Sequence, residues 1–410
     1  MTDPVPDAPA TELPLLIRVY GADRPRVTAE LLQLLGDAGA ELEDLEQLVV
    51  RERLTLDVLV RLAGANESLL SDILSWGLTR DLRIEFERVE ARSRRAQLVR
   101  HAVTVLGRPL PATALAAVAA AIAGTGGNID RVVRLATTPV TAYDLVVIAG
   151  DVEAMRQALV EVAREHGIDI AVQVNGLERR AKRLVVMDVD STLIMDEVIE
   201  LLAEEAGRLD EVAEITTRAM AGELDFEASL RERVRLLAGL DEAAVERVQA
   251  RIRLTPGART FVRTLKRLGF TVAIVSGGFT PFTDRLRADL DLDHSYANGL
   301  AVVDGVLTGE LEGPVVDRAG KARLLAQIAA AEGVPLSQTV AVGDGANDLD
   351  MLAAAGLGIA FNAKPVVRAQ ADTTVSVPYL DAILFMLGIR GNDVDRGAEQ
   401  TGQEPAAGER

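Results

Sequence analysis

The sequence predicts an α/β protein: a doubly wound parallel sheet with an inserted helical cap, preceded by two smaller α+β units. After residue 182, short uninterrupted apolar runs alternate with amphipathic helical segments, a pattern typical of parallel strands buried on both faces. A nearly all-helical stretch, 196–269, separates the first two runs and is too long for a single crossover. Before residue 180, the order strand, helix, strand, strand, helix, strand occurs twice.

Each of the two N-terminal βαββαβ units is defined by its apolar spacing, which alternates in strands and recurs every three or four residues in helices. The first unit spans 13–92, with strands 15–20, 41–50, 54–62 and 82–89 and helices 27–38 and 69–76. The second spans 97–176, with strands 101–106, 129–136, 142–149 and 168–174 and helices 112–124 and 152–166. The units repeat a pattern rather than a sequence.

The third domain is predicted to span 183–391, with its cap at about 196–255. Its parallel strands are predicted at 184–189, 272–275, 339–342, 357–361 and 374–377. Residues 1–12 and 392–410 are expected to be disordered tails because they are poor in apolar residues that could join a core.

Composition excludes several kinds of site. A formal net charge of −18 argues against a nucleic-acid or anionic-membrane partner, although a local cation can still make a cleft attractive to a small anion. The absence of Cys excludes disulfides, thiolate metal sites and cysteine nucleophiles. Residues 1–11 lack the basic start and apolar centre of a signal peptide, and no apolar run is long enough to span a membrane, so a cytoplasmic protein is expected.

Two carboxylates end the first strand of the predicted parallel sheet, where ligands bind in open α/β sheets. Asp188 and Asp190 are two residues apart, so in an extended chain they would face the same way. Such a pair suits a nucleophile with a general acid/base, and it attracts a hard divalent cation. The Asp-x-Asp-x-Thr pattern alone is a weak signal because chance matches to it are common.

Further polar motifs follow in the same domain. Ser276-Gly277-Gly278 offers a hydroxyl and accessible N–H groups to phosphate oxygens, although an ordinary strand-to-helix turn would have the same composition. Lys321 begins a predicted helix, where its ammonium could reach a phosphoryl group or simply lie on the surface.

The last motif is Gly-Asp344-Gly-Ala-Asn347-Asp348, which leaves one strand and enters the next helix. Helix capping could explain Asp348 in part. Capping does not explain why four polar motifs fall in this order at the strand ends of one sheet, and the conjunction predicts a phosphoryl-transfer site.

These motifs, taken together over residues 183–391, resemble those of the haloacid dehalogenase-like phosphatases. The cap adds Glu197, Met220, Phe226 and Arg233 at positions similar to those of the phosphoserine phosphatases within that superfamily. The resemblance implies Mg²⁺-dependent hydrolysis of O-phospho-L-serine to L-serine and phosphate, the last step of serine biosynthesis, through a phosphoaspartate intermediate.

The resemblance also implies a role for each motif residue. Asp188 would be the nucleophile and Asp190 the general acid/base, with Ser276 and Lys321 completing the catalytic set. Mg²⁺ would bind Asp188, the backbone carbonyl of Asp190 and Asp344, with Asp348 orienting these ligands. The implied substrate-binding residues are Glu197, Met220, Phe226, Arg233, Ser276, Gly277 and Asn347.

The chemistry of the cap residues agrees with that assignment. Glu197 can pair with the ammonium of phosphoserine and Arg233 with its carboxylate, while Met220 and Phe226 can form an apolar wall that excludes water. Without the resemblance, Glu197 and Arg233 are equally well interpreted as surface charges.

The two N-terminal units resemble ACT domains, which often bind amino acids and pair through their sheets. The family's Asp-x-Pro-Gly turn is Asp23-Arg-Pro-Arg26 in the first unit and Gly107-Arg-Pro-Leu110 in the second. The resemblance implies a homodimer and an amino-acid effector, such as L-serine, near Gly21, Asp23 and Gly107. Arg26 replaces the usual glycine, so its side chain would crowd the backbone N–H groups of the turn.

The sequence alone is compatible with three alternatives. The ACT domains could serve only for dimerisation. The enzyme could act on another phosphomonoester, such as phosphothreonine or a phosphoprotein. The chain could instead be a non-enzymatic amino-acid sensor with an inert phosphatase-like domain.

Overall fold

The computed structural model describes residues 14–62, 67–89, 99–148, 150–176, 179, 181–221, 223–368, 370–371 and 373–396. The chain divides into two compact units, 1–97 and 98–410. The first contains one βαββαβ domain, and the second contains the other together with the large α/β domain. Within the described ranges, no helix combines the length and apolar character needed to cross a membrane.

The first βαββαβ domain has an antiparallel sheet in the order β2-β3-β1-β4. Buried residues of its strands and helices, including Ile17 and Ile73, form one apolar core. The edge strand β2 is exposed along nearly its whole length, with Leu48 61% exposed. The elements are β1 Leu15–Ala22, β2 Glu41–Val50, β3 Arg53–Arg61, β4 Arg83–Arg88 and the helices Val27–Asp37 and Glu67–Leu78.

The second βαββαβ domain has the same topology, with the order β6-β7-β5-β8. Its last helix is capped by Asp151, which accepts from Ala154 N, and ends at Gly167 in the left-handed conformation. The predicted βαββαβ order of elements along the chain is confirmed in both domains. The elements are β5 Arg100–Gly107, β6 Asn128–Ala136, β7 Thr141–Ile148, β8 Asp169–Val174 and the helices Ala112–Gly124 and Val152–His166.

The large domain contains a seven-stranded sheet in the order β12-β11-β10-β9-β13-β14-β15. All neighbours pair in parallel except β11 and β12, an antiparallel hairpin at one edge. The predicted doubly wound sheet is confirmed, but the hairpin was not predicted because its strands are only partly buried and carry many polar residues. The strands are β9 Leu184–Met187, β10 Thr271–Phe279, β11 His294–Val303, β12 Val306–Glu312, β13 Thr339–Gly343, β14 Gly358–Phe361 and β15 Thr373–Val375.

Four helices occupy the segment where a cap was expected: Val198–Glu205, Leu209–Met220, Phe226–Arg235 and Glu242–Arg251. The two chain connections to this cap run side by side, since Ile194 and Leu254 form an antiparallel bridge. Asp196 and Arg253 form an ion pair at the same level, 2.6 Å between Oδ1 and Nη2. The other helices of the domain are Ala258–Arg267, Thr280–Leu290, Arg318–Ala331, Leu349–Ala354, Pro365–Arg368 and Ile383–Met386.

The second βαββαβ domain packs directly against the C-terminal part of the large domain. Leu135 and Ala171 share an apolar core with Leu384 and Phe385. Asp169 accepts a hydrogen bond from Ser376 N at 2.8 Å across the same junction. Part of the sheet of the second βαββαβ domain is therefore covered by the large domain of the same chain.

The expected disorder from residue 392 onward is wrong for residues 392–396. Val394 is only 9% exposed, and Asp395 N donates to Thr264 Oγ1 at 2.9 Å. A single apolar residue in a polar segment anchors this stretch, which composition alone does not reveal. The rest of that predicted tail, and residues 1–12, lie outside the described residues.

Candidate active site

The site lies beyond the carboxyl ends of β9, β10 and β13. Strand β9 ends at Met187, so the predicted strand 184–189 was two residues too long. Asp188 N still donates to Val342 O at 2.9 Å, but the chain then turns through Val189–Leu193, where Ser191 has a φ of 55°. Asp188 and Asp190 therefore stand on a tight turn rather than on an extended strand, because the backbone bends directly after β9.

A buried ion cluster forms the centre of the site. Lys321 Nζ lies 2.8 Å from Asp188 Oδ1 and 2.6 Å from Asp348 Oδ1, and Lys321 is only 1% exposed. Asp317 caps the helix Arg318–Ala331 by accepting from Gly320 N at 2.6 Å, which fixes Lys321 in its first turn. The surface alternative for Lys321 is wrong.

The protonation of this cluster reflects burial and close charges. Burial raises the pKa of Asp188 well above its usual value; the charges of Asp348 and Asp190 act in the same direction, and Lys321 opposes them. Burial acts to lower the pKa of Lys321, but Asp188 and Asp348 together raise it above its usual value. Lys321 therefore remains cationic among carboxylates that outnumber it.

Three carboxylates could hold a metal ion. Asp188, Asp344 and Asp348 each offer an oxygen, and these atoms all lie within 4.8 Å of one another. Burial, followed by the charges of Asp348 and Glu197, raises the pKa of Asp344 to about 6. Because one ammonium faces three carboxylates, a hard divalent cation bound by oxygen ligands would relieve the repulsion. The residues present fit Mg²⁺.

Asp348 is the most constrained member of that group. Its Oδ1 accepts from Lys321 Nζ and its Oδ2 accepts from Gly345 N at 3.0 Å. Gly343 is essential to this approach, since a Cβ there would lie 2.4 Å from Asp348 Cγ. Asn347 lies half-buried in the same turn, Ala346–Asp348.

Asp190 faces both the sheet and the cap. Its Oδ1 accepts from Val198 N at 3.0 Å, at the start of the first cap helix, and its Oδ2 accepts from Ser276 Oγ at 3.4 Å. Burial, reinforced by the charge of Glu197, raises the pKa of Asp190 to about 7. Both the acid and the carboxylate are thus available near neutral pH, as an acid/base group requires.

The loop Ser276-Gly277-Gly278 continues β10 rather than following it, with a register shift between Val275 and Phe279. Ser276 Oγ accepts from Gly278 N at 2.8 Å. A Cβ on Gly278 would lie 2.9 Å from Asp190 Oδ2, and one on Gly277 would lie 3.1 Å from Phe226 Cζ. The two glycines thus permit close approach of Asp190, in the turn Val189–Leu193, and of Phe226 in the cap, which an ordinary strand-to-helix turn would not need.

The cap residues occupy different environments. Glu197 is exposed, and its Oε1 accepts from Ser191 Oγ at 2.7 Å. Arg233 is half-buried and donates to Ser229 O at 3.3 Å. Burial lowers the pKa of Arg233, while Glu197, Glu200 and Asp190 oppose that effect. Arg233 is therefore close enough to these acids to be influenced by their charge. The Met220 side chain lies outside the described residues.

The candidate effector positions differ in how closely they are packed. A Cβ on Gly21 would lie 2.4 Å from Leu82 Cδ2, although Gly21 also lines a cavity of about 720 Å³. Asp23 is exposed, and Gly107 is buried with Pro109 O 3.0 Å from an added Cβ. Arg26 adopts a φ of 78°, a left-handed conformation that favours the glycine it replaces.

Two buried polar residues escaped the sequence-based assignment. Thr192 donates to Asp344 Oδ1 at 3.2 Å, linking the β9 turn to β13. Asn298 on β11 contacts the phosphate-loop candidate Ser276–Gly278 through Gly277 O, at 2.7 Å. Thr192 belonged to the quoted motif and could have been included, whereas Asn298 lies in the unpredicted hairpin and had no signal.

Comparison with known proteins follows the same division of the chain. The family model for haloacid dehalogenase-like hydrolases matches residues 185–353, and ACT domain models match 14–87 and 99–173. Phosphoserine phosphatase of Streptomyces coelicolor is 56% identical over 93% of each chain. Phosphoserine phosphatase SerB2 of Mycobacterium tuberculosis is 48% identical over 93% of this chain and 94% of its own.

Solved structures give a consistent result. A haloacid dehalogenase family hydrolase from Salmonella enterica serovar Typhi has a TM-score of 0.63 at 31% identity, covering 70% of this chain and 98% of its own. A probable phosphoserine phosphatase from Vibrio cholerae, in unliganded form, has a TM-score of 0.56 at 36% identity, covering 70% and 86%.

Proposed function

The chain belongs to the phosphoserine phosphatase family, with a haloacid dehalogenase-like hydrolase domain and two ACT domains, and we propose that it hydrolyses O-phospho-L-serine through a phosphoaspartate on Asp188. The observation that carries this mechanism is the contact between Asp188 and Lys321 at the end of β9. It holds a carboxylate oxygen next to a cation that can neutralise a phosphoryl group.

In the first step, an Asp188 carboxylate oxygen attacks phosphorus, and the bond from phosphorus to the serine oxygen breaks. Asp190, in its acid form, gives its proton to that oxygen, so L-serine leaves as a neutral alcohol. The pKa of about 7 for Asp190 supports this role, since much of the residue carries a proton at neutral pH. Lys321, Ser276 and the Gly277 N–H are proposed to contact the phosphoryl oxygens.

In the second step, a water oxygen attacks phosphorus and the bond from phosphorus to the Asp188 oxygen breaks. Asp190, now a carboxylate, accepts the water proton, and phosphate leaves with Asp188 regenerated. The contact between Asp190 Oδ1 and Val198 N supports the alternation, since the N–H holds the carboxylate in place in either step.

Mg²⁺ is proposed to bind three groups: the Asp188 carboxylate, the Asp344 carboxylate and the backbone carbonyl of Asp190. Asp348 is proposed to orient these ligands. Bound Mg²⁺ would offset negative charge as phosphate oxygens enter the site. Asp348 already uses both oxygens on Lys321 and Gly345, which supports an orienting role over direct ligation.

The substrate proposal depends on the cap. Arg233 is proposed to bind the carboxylate of phosphoserine and Glu197 its ammonium, with Phe226, Met220 and Asn347 enclosing the rest. Arg233 is half-buried, and the nearby acids Glu197, Glu200 and Asp190 favour its charged form. A charged guanidinium at this position supports the binding of a substrate carboxylate.

Phosphate release tests this proposal. The protein with Mg²⁺ is expected to release phosphate from phosphoserine, faster than from phosphothreonine or p-nitrophenyl phosphate, and a chelator should stop the reaction until Mg²⁺ is restored.

The Arg233→Met variant tests the proposed substrate contact. It should lower kcat/KM for phosphoserine by about 10²-fold or more, because a charge-assisted carboxylate contact is lost. It should affect p-nitrophenyl phosphate, which has no carboxylate, by less than about threefold. Equal losses on both substrates would favour the alternative of a broader phosphomonoesterase.

A homodimer through the first ACT domain is also proposed. Strand β2 pairs only on its β3 side among the described residues, and it exposes Leu42, Leu48, Val49 and Val50. Light scattering is expected to give a dimer for the native chain and a monomer for Leu48→Glu. Val132→Glu, on the edge strand β6 and 53% exposed in the native chain, is the matched control and should remain dimeric. A Leu48→Glu dimer would contradict this interface.

An amino-acid effector such as L-serine near Gly21, Asp23 or Gly107 stays a prediction, as does the cytoplasmic location. The ACT domain matches support the effector, while the packing of Leu82 against Gly21 leaves little room at that glycine itself.

A further inference from the structure

Asn298 is a buried amide with both ends engaged. It lies on β11, opposite Phe279 of β10, and is only 1% exposed. Its Nδ2 donates to Gly277 O at 2.7 Å, and its Oδ1 accepts from Val316 N at 2.7 Å. These two contacts fix the orientation of the amide. In the reversed orientation, Oδ1 would face the acceptor Gly277 O and Nδ2 would face the donor Val316 N–H.

The first contact determines the direction of a neighbouring N–H. Gly277 O belongs to the same peptide plane as the Gly278 N–H, so holding the carbonyl holds the N–H on the opposite side. That N–H donates to Ser276 Oγ at 2.8 Å. Because the hydroxyl accepts there, its own hydrogen is left to donate elsewhere, toward Asp190 Oδ2 at 3.4 Å or toward a phosphoryl oxygen.

The second contact reaches the segment that supplies the cation. Val316 directly precedes Asp317, which caps the helix carrying Lys321. In addition, a Cβ added to Gly277 would lie 3.8 Å from Val316 O, so the two segments run close together. The Asn298 side chain therefore connects the loop Ser276–Gly278 with Val316, just before the helix that carries Lys321.

We propose that Asn298 is a positioning residue that orients the Ser276 hydroxyl toward the phosphoryl group. The inference rests on the proposed phosphatase function and extends it to a residue outside the turn Val189–Leu193. Its physical basis is that the flexible Gly277-Gly278 pair cannot fix its own peptide plane, because glycine has few conformational restraints. An external donor for Gly277 O supplies that restraint.

A double-mutant cycle of Asn298→Ala and Ser276→Ala distinguishes positioning from general support of the fold. Asn298→Ala is expected to lower kcat/KM for phosphoserine by about 10- to 100-fold in the native background. In the Ser276→Ala background, its further effect should fall below about threefold, because the group that it orients is already gone. The dissociation constant of orthovanadate, a phosphoryl mimic, should be measured for the same four proteins. The effects of the two substitutions on it should likewise be non-additive.

Two variants control for folding. Leu300→Ala removes a buried apolar side chain two residues along β11 and should lower the melting temperature while remaining additive with Ser276→Ala. Asn298→Leu keeps the size but can neither donate to Gly277 O nor accept from Val316 N–H, so it should lose activity as Asn298→Ala does. It replaces Asn298→Ala in the cycle if the alanine variant does not fold.

Additive losses from Asn298 and Ser276, in both turnover and vanadate binding, would overturn the inference. So would an Asn298→Leu variant with native kcat/KM. If the native protein binds vanadate but releases no phosphate from phosphoserine, the proposed function fails, while the vanadate cycle still decides the role of Asn298.

Discussion

The Asp188→Asn variant is expected to lose at least about 10⁴-fold in kcat on phosphoserine. An amide oxygen is a poor nucleophile, and the amide also forms no stable acyl phosphate. Lys321 and Asp190 remain in place, so substrate binding should be retained and the loss should appear mainly in kcat. Phosphate release under saturating substrate measures it.

The same variant should fold at least as well as the native chain. Burial and the charges of Asp348 and Asp190 raise the pKa of Asp188, so the folded protein keeps this carboxylate ionised only at a cost. Removing its charge lowers the repulsion within the cluster. A matched control is Asp350→Asn, which removes an exposed acid paired with Arg318, and should change kcat by less than about twofold. Turnover by Asp188→Asn within tenfold of native would contradict the assignment.

The Lys321→Met variant is expected to lose both activity and stability. Methionine has a similar length but no charge, so Asp188 and Asp348 would be left buried without their ammonium. Breaking a buried ion pair on one side costs about 3–5 kcal/mol in the free energy of unfolding. Denaturant unfolding of the full chain, monitored in the large domain, measures this loss.

The pH dependence of that variant has a predictable sign. Without Lys321, the folded-state pKa of Asp188 should rise further, because the ammonium that opposes the effect of burial is gone, so the folded state binds more protons than the unfolded state. Stability of Lys321→Met should therefore increase as the pH falls from 8 to 6 and decrease again as it rises. Adding Asp348→Asn should recover part of the loss, because one stranded charge is removed. A native free energy of unfolding for Lys321→Met would contradict the account of the cluster.

The strand ends were the part of the site that the sequence predicted best. Asp188, Ser276 and Asp344 each follow a short apolar run, and parallel strands bring the carboxyl ends of such runs to one edge. Their proximity follows from topology, so it needs no knowledge of side-chain packing. The topology of the two ACT domains was predictable for a similar reason, because alternating and helical apolar spacings mark each element.

What could not be predicted depends on tertiary contacts. Lys321 stands at a helix start like many surface lysines, and only the carboxylates of two other segments explain its burial. Asn298 acts through two backbone groups, Gly277 O and Val316 N–H, and such partners leave no pattern in the sequence. The end of β9 was misplaced because Val189, an apolar residue that follows Asp188, belongs to the turn Val189–Leu193 and not to the strand.

The most direct test of the mechanism is to locate the covalent phosphate. The protein is mixed with phosphoserine and Mg²⁺, quenched in acid over the first turnovers and treated with borohydride, which reduces an aspartyl phosphate to homoserine. Peptide mass spectrometry is expected to find homoserine at position 188 in the native chain and none there in Asp188→Asn. Homoserine at another residue, or at none throughout a time course in which phosphate is released, would contradict the central claim.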